Sequence, residues 1–128
     1  MSVLDEVRDR LEAKHADLRY TEANGTITVH PRASTGFEVS ISEDLTVGYD
    51  GWHERFDTPE QALECFAFAF SDQCRLKVTY RGNFAHKWTL ESLVDGRWVE
   101  DSTTGLLFFP FWRAKRVEYR QNALANGG

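Results

Sequence analysis

The sequence predicts a single α+β domain over residues 1–128, in which two helices pack on one face of an antiparallel sheet. Two segments repeat apolar residues at three- and four-residue steps, which is typical of amphipathic helices. Between and after them lie short segments of alternating polar and apolar residues, separated by Asn-Gly and Asp-Gly turns. A chain of 128 residues is near the commonest size for one domain and can bury a large core without disulfides.

Each helix has a recognisable start. Ser2 and Asp5 can cap a first helix predicted over residues 3–16, with Leu4 among its apolar positions. The segment Thr58-Pro59-Glu60-Gln61 combines a capping hydroxyl, a proline at the first helical position and a glutamine three residues after the cap. The second helix therefore starts there, and its wide apolar face predicts that Phe66 and Phe70 are buried against the sheet.

Two hairpins are predicted between the helices. Asn24-Gly25 suits a two-residue turn, and counting outward from it pairs Tyr20 with Val29 and Glu22 with Ile27. The segments 37–41 and 45–49 form the second hairpin, and a turn over residues 42–44 would place Val39 opposite Val47. Residues 50–57 are interpreted as a connector.

Five further strands are predicted after the second helix, with a hairpin turn at Asp95-Gly96. They cover residues 75–80, 87–94, 97–101, 106–112 and 116–121. The order of helix and strands then repeats, which suggests an internal duplication of a helix-plus-four-strand unit over 1–57 and 58–121, joined in one continuous curved sheet. The tail 122–128 is expected to fray.

Charge and composition exclude several classes of protein. The net charge is −5, but residues 1–64 carry 6 basic and 14 acidic side chains, whereas residues 65–128 carry 9 and 6. Overall acidity disfavours general binding to nucleic acid or membranes, although a local basic patch can form in the second half. No segment resembles a membrane span or a secretory signal, so a cytoplasmic location is expected. Cys65 and Cys74 are expected to be reduced and unpaired.

No motif for a cofactor, a metal or a catalytic nucleophile is present. The four histidines lack metal-ligand spacing, the glycines form no phosphate-binding loop, and Ser102 lies in no nucleophile motif. We therefore assign no catalytic residue, cofactor or metal. One enzymatic alternative stays open: a dispersed site that uses His53, Glu54 or His86 and converges only in three dimensions.

The segment from Leu106 to Trp112 departs from strand-like alternation. Apolar side chains on both faces indicate a covered central strand or a strand with one face ready for a partner, and Pro110 favours an edge. The residues that follow it form a basic hairpin tip, and the tentative binding residues are Trp112, Arg113, Lys115 and Arg116. The leading hypothesis is a non-catalytic interaction module for a protein or a small ligand. A third hypothesis is weak binding of single-stranded nucleic acid or another anion at that tip.

Overall fold

The computed structural model describes residues 2–14 and 17–123. It contains two helices, α1 and α2, and nine strands, β1 to β9. In chain order these are α1 (Val3–Lys14), β1 (Tyr20–Ala23), β2 (Thr26–Val29), β3 (Val39–Ser42), β4 (Thr46–Tyr49), β5 (Trp52–Arg55), α2 (Pro59–Phe68), β6 (Cys74–Arg81), β7 (Phe84–Val94), β8 (Arg97–Gly105) and β9 (Lys115–Arg120). The strands form two antiparallel sheets, so the α+β class is confirmed.

The first sheet is a five-stranded meander in the order β1-β2-β3-β4-β5. Its first hairpin has the predicted register, with Tyr20 opposite Val29, and Asn24 and Gly25 both adopt positive φ. The second hairpin is shifted by two residues, because Val39 lies opposite Tyr49 rather than Val47. Leu45 adopts φ 71° and belongs to the turn. A shift of two keeps every side chain on its predicted face.

The connector predicted over residues 50–57 contains a strand. Trp52 pairs with Tyr49 across a two-residue turn, in which Asp50 has φ 51°. Asp-Gly, like Asn-Gly, is a favoured hairpin pair, although here Asp50 adopts positive φ and Gly51 does not. Strand β5 therefore forms one edge of the first sheet, and it carries Trp52 into the core.

The second sheet has the order β8-β7-β6-β9. Strand β8 continues through Gly105, beyond the predicted end at Asp101, with a register shift opposite Leu90 and Glu91. The strand predicted over residues 106–112 is wrong. That segment instead leaves the sheet at β8 and crosses the end of β7 and β6 to reach β9 on the far side.

The core is formed by the apolar sides of both sheets and by the inner faces of the helices. Helix α2 begins as predicted, with the Thr58 hydroxyl accepting from Gln61 N, and it packs on β3 and β4. Phe66 is buried, whereas Phe70 is half-buried against it with ring centroids 5.5 Å apart. Helix α1 contacts α2. The placement of both helices on one face of a sheet stays a prediction.

The strands do not form the single continuous sheet that was expected. Side chains rather than a backbone ladder join the two sheets: Trp52 Nε1 donates to Ser102 Oγ at 2.9 Å, and His53 N donates to Thr104 Oγ1 at 3.3 Å. The first unit has five strands and the second has four in a different order, so the duplication stays a prediction.

Only the start of the tail expected to fray lies within the described residues. There Asn122 is buried and its Oδ1 accepts from Phe37 N at 2.8 Å, which ties the end of the second sheet to the first. Residues 124–128 lie outside the described part of the chain. Neither described helix is long and apolar enough to cross a membrane.

Candidate binding site

The most unusual surface of the molecule is the segment over residues 106–114, here called the crossover loop. It joins β8 to β9 across the end of the β6–β7 hairpin, and a backbone hydrogen bond fixes each of its ends. Leu106 N donates to His86 O at 2.8 Å, and Gly82 N donates to Ala114 O at 2.8 Å. The loop is thus held at both ends by the hairpin that it crosses.

One aromatic side chain anchors the middle of the crossover loop. The ring of Phe109 stacks on the imidazole of His86, with centroids 4.1 Å apart and planes 10° apart. His86 is buried, and this burial lowers the pKa of its imidazole, an effect increased by the positive charges of Arg81, Lys87 and Lys115. The neutral ring is therefore favoured, which suits stacking on a phenyl group.

The other large side chains of the loop face solvent. The exposed fractions are 91% for Leu107, 90% for Phe108, 70% for Phe111 and 71% for Trp112. Phe111 and Trp112 form an edge-to-face pair with centroids 5.3 Å apart. Single exposed apolar residues are ordinary on a protein surface, but a contiguous group of this size is typical of an interaction site.

The surroundings of the loop are basic. The two segments that form this end of the second sheet, residues 81–90 and 102–117, contain five Lys or Arg residues and no Asp or Glu. Glu118, the next residue of β9, lies 3.0 Å from the Arg116 guanidinium. This end of the molecule combines exposed apolar groups with positive charge, although the whole chain is acidic.

The four tentative binding residues do not form one group. Trp112 and Arg113 lie in the crossover loop and are exposed. Lys115 and Arg116 begin strand β9 instead of forming a hairpin tip. Arg116 is engaged within the chain, because its guanidinium lies 4.1 Å from the centre of the Tyr80 ring and 3.0 Å from a Glu118 carboxylate oxygen. Trp112 and Arg113 are thus the better placed of the four to meet a partner.

Arg113 also lines a small pocket beneath the loop. This pocket has a volume of about 350 Å³ and is lined by Arg81, Asn83, Phe84, Pro110 and Arg113. Its lining contains two guanidinium groups, one amide and two apolar rings. The sequence patterns did not predict this pocket. Arg81 ends β6 and Asn83 lies in the β6–β7 turn, and both residues approach the loop only because the crossover connection passes over that hairpin.

The outer face of the second sheet is less available than the sequence suggested. Arg75 lies between the rings of Trp98 and Tyr119, at 4.3 and 4.0 Å from their centres, and pairs with Glu91 at 2.6 Å. Trp88, on the same sheet, packs against the backbone at Gly51. Trp88 and Trp98 therefore contact other parts of the chain, whereas Trp112 is exposed.

A second, larger concavity lies between α2, β5 and β8. This groove has a volume of about 680 Å³; its floor includes Trp52, Phe68 and Leu90, and four carboxylates lie along it: Glu54, Asp57, Glu64 and Asp101. Such a volume suits a small ligand. Glu54 is the only member of the predicted dispersed catalytic set in its lining, since His53 and His86 do not line it.

The structure does not bring the three residues of the predicted dispersed site together. No hydrogen bond or ion pair joins His53, Glu54 and His86 to one another. The thiols are free, and burial raises the pKa of Cys65 to about 11 and of Cys74 to about 12, which disfavours the nucleophilic thiolate. Over residues 2–14 and 17–123, no group of three His, Cys, Asp or Glu side chains is arranged to hold a metal ion.

Comparisons of this chain with protein-family models, with curated proteins and with solved structures found no match.

Proposed function

We propose that this protein is a non-catalytic binding module that docks a protein partner on the crossover loop. The observation that carries this proposal is the exposure of Leu107, Phe108, Phe111 and Trp112 on a connection whose backbone is fixed at both ends. Such a surface can bind without a large loss of backbone entropy, because the loop does not have to be ordered by its partner.

The residue types of the loop fit this role. Trp and Arg are among the residues that most often dominate binding energy at protein interfaces, and here Trp112 and Arg113 are adjacent and exposed. Exposing this much apolar surface to water is unfavourable and increases the risk of aggregation, so a partner that covers the loop offers a physical reason for its composition. The positive charge around the loop favours a partner that carries an anionic group within an apolar surface.

A loop variant with a matched control tests the proposal. Immobilised wild-type protein is used to retain partners from cell extract under reducing conditions, and the retained proteins are compared with those retained by L107S/F108S. The control is V94S/V99S, which changes two apolar residues of 50% and 45% exposure on the β7–β8 hairpin. Because all four positions are exposed, each variant should unfold within about 0.5 kcal/mol of wild type.

The expected result is a partner that wild type and V94S/V99S retain equally and that L107S/F108S loses. The purified partner should then bind wild type in a titration and bury apolar surface, which gives a negative heat-capacity change. If L107S/F108S retains the same partner with unchanged affinity, the crossover loop is not the docking surface.

A further inference from the structure

The pocket beneath the crossover loop contains two arginines that the fold leaves without a counter-charge. Within the described part of the chain, neither Arg81 nor Arg113 makes an ion pair, and Arg81 Nε is buried without a hydrogen-bond partner. Both side chains line the same pocket of about 350 Å³. Arg81 is half-buried and Arg113 is exposed, and an anion bound in this pocket would pair with both guanidinium groups.

Most other arginines in this chain are neutralised. The following six each lie within 3.6 Å of an Asp or Glu oxygen: Arg8, Arg10, Arg32, Arg75, Arg116 and Arg120. The chain has an excess of acidic residues, so carboxylates to pair with arginine are not scarce. The lining of this pocket nevertheless contains no carboxylate, so its two arginines are left available for an anion from outside the chain.

We propose that the Arg81–Arg113 pocket binds a phosphate monoester group. Each guanidinium offers parallel N–H donors that match phosphate oxygens, and the Asn83 amide adds a further donor. A phosphate monoester carries close to two negative charges at neutral pH, which balances two guanidinium groups, whereas one carboxylate balances only one. The rings of Phe84 and Pro110 line the same pocket and favour a phosphate attached to an apolar or aromatic carrier.

The surroundings of the pocket favour a doubly charged ligand over a singly charged one. Lys87 and Lys115 act electrostatically on His86, which also responds to the charge of Arg81, so several cations lie around this end of the hairpin. The pocket shares Pro110 and Arg113 with the crossover loop. This inference rests on the proposed function only where the partner on the loop carries the phosphate, since a small soluble ester would occupy the pocket without that partner.

Calorimetric titration with phenyl phosphate, inorganic phosphate and benzoate tests the pocket directly. Phenyl phosphate should bind most tightly, and inorganic phosphate should bind more weakly because it has no ring. Benzoate, with a single negative charge, should bind at least about tenfold more weakly than phenyl phosphate. Replacing Arg81→Gln or Arg113→Gln should each weaken phenyl phosphate binding about tenfold or more. The matched control is Arg97→Gln, which removes an exposed arginine at the β7–β8 turn and should leave binding unchanged.

Two probes distinguish the source of the phosphate. A neutral heptapeptide with a central phosphotyrosine should bind more tightly than phenyl phosphate if the group belongs to a protein partner, and equally if it belongs to a small soluble ester. Both results support the pocket when Arg81→Gln and Arg113→Gln each weaken the binding about tenfold or more. Equal binding of phenyl phosphate and benzoate, no binding, or wild-type affinity in either variant would overturn it.

The variant L107S/F108S separates this inference from the proposed function, because it leaves the pocket lining intact. Phenyl phosphate should bind that variant as tightly as wild type. If phenyl phosphate fails to bind while L107S/F108S still loses its protein partner, only the phosphate inference fails. If phenyl phosphate binds normally and no partner depends on the loop, only the docking proposal fails.

Discussion

The hydrogen bond between Trp52 and Ser102 offers a direct measure of how the two sheets are joined. Trp52 is 1% exposed, and its indole N–H donates to Ser102 Oγ at 2.9 Å. Ser102→Ala removes the acceptor and leaves a buried donor unsatisfied, which should cost about 1–2 kcal/mol of unfolding free energy. Trp52→Phe removes the donor and also one ring of a buried side chain, and this should cost about 2–3 kcal/mol.

The two changes should not be additive. Once the indole N–H is absent, the half-buried Ser102 hydroxyl can meet water in the neighbouring groove, so Ser102→Ala in the Trp52→Phe background should cost less than about 0.5 kcal/mol. The coupling free energy between the two positions is then about 1 kcal/mol. Urea unfolding of the four proteins, monitored by far-ultraviolet circular dichroism, measures it. A Ser102→Ala cost that is the same in both backgrounds would refute the hydrogen bond as a link between the sheets.

Three further outcomes are expected. Phe66→Ala should lower the unfolding free energy by about 3–5 kcal/mol in urea titrations, since Phe66 is 4% exposed in the core, and a loss below about 1 kcal/mol would contradict that burial. Iodoacetamide at pH 8 should label neither thiol of the native protein and both after unfolding, because burial raises the pKa of Cys65 and Cys74; rapid native labelling would contradict this. Burial lowers the pKa of His86 below its ordinary 6.5, so the unfolded chain binds that proton more readily and stability should fall as pH decreases through that value. His86→Phe should remove the loss of thermal stability that accompanies protonation of His86. If the variant has the same dependence of stability on pH as wild type, other groups cause that dependence.

The sequence predicted local elements well where one physical rule controlled them. The register of the first hairpin follows from Asn24-Gly25, since a two-residue turn with positive φ at both positions fixes the pairing. The start of α2 follows from the Thr58 cap and Pro59. The same turn rule applied to Asp50-Gly51 would have predicted β5, but the acidic residues that follow were interpreted as a solvated connector.

The crossover loop was misassigned because its pattern has two explanations. Consecutive apolar residues are typical of a strand covered on both faces, but a connection that packs one side chain inward and exposes the rest gives the same pattern. Phe109 faces His86 while its neighbours face solvent, and no local periodicity distinguishes that arrangement from a covered strand. The segment is a connection because β8 and β9 lie on opposite edges of the sheet, in the order β8-β7-β6-β9. That order depends on long-range strand pairing rather than on local sequence.

The distribution of charge limits the kind of partner that can reach the loop and its pocket. The whole chain carries −5, so a partner that is acidic throughout is repelled at separations up to the Debye length of about 8 Å at physiological ionic strength. Closer to the surface, the unpaired guanidinium groups of Arg81 and Arg113 and the exposed side chains of the loop dominate. A single anionic group on an otherwise apolar surface avoids the long-range repulsion and still satisfies both arginines. We therefore expect the combination of an acidic body with a basic, apolar end to disfavour general polyanions such as nucleic acid and to favour the locally charged partner proposed above.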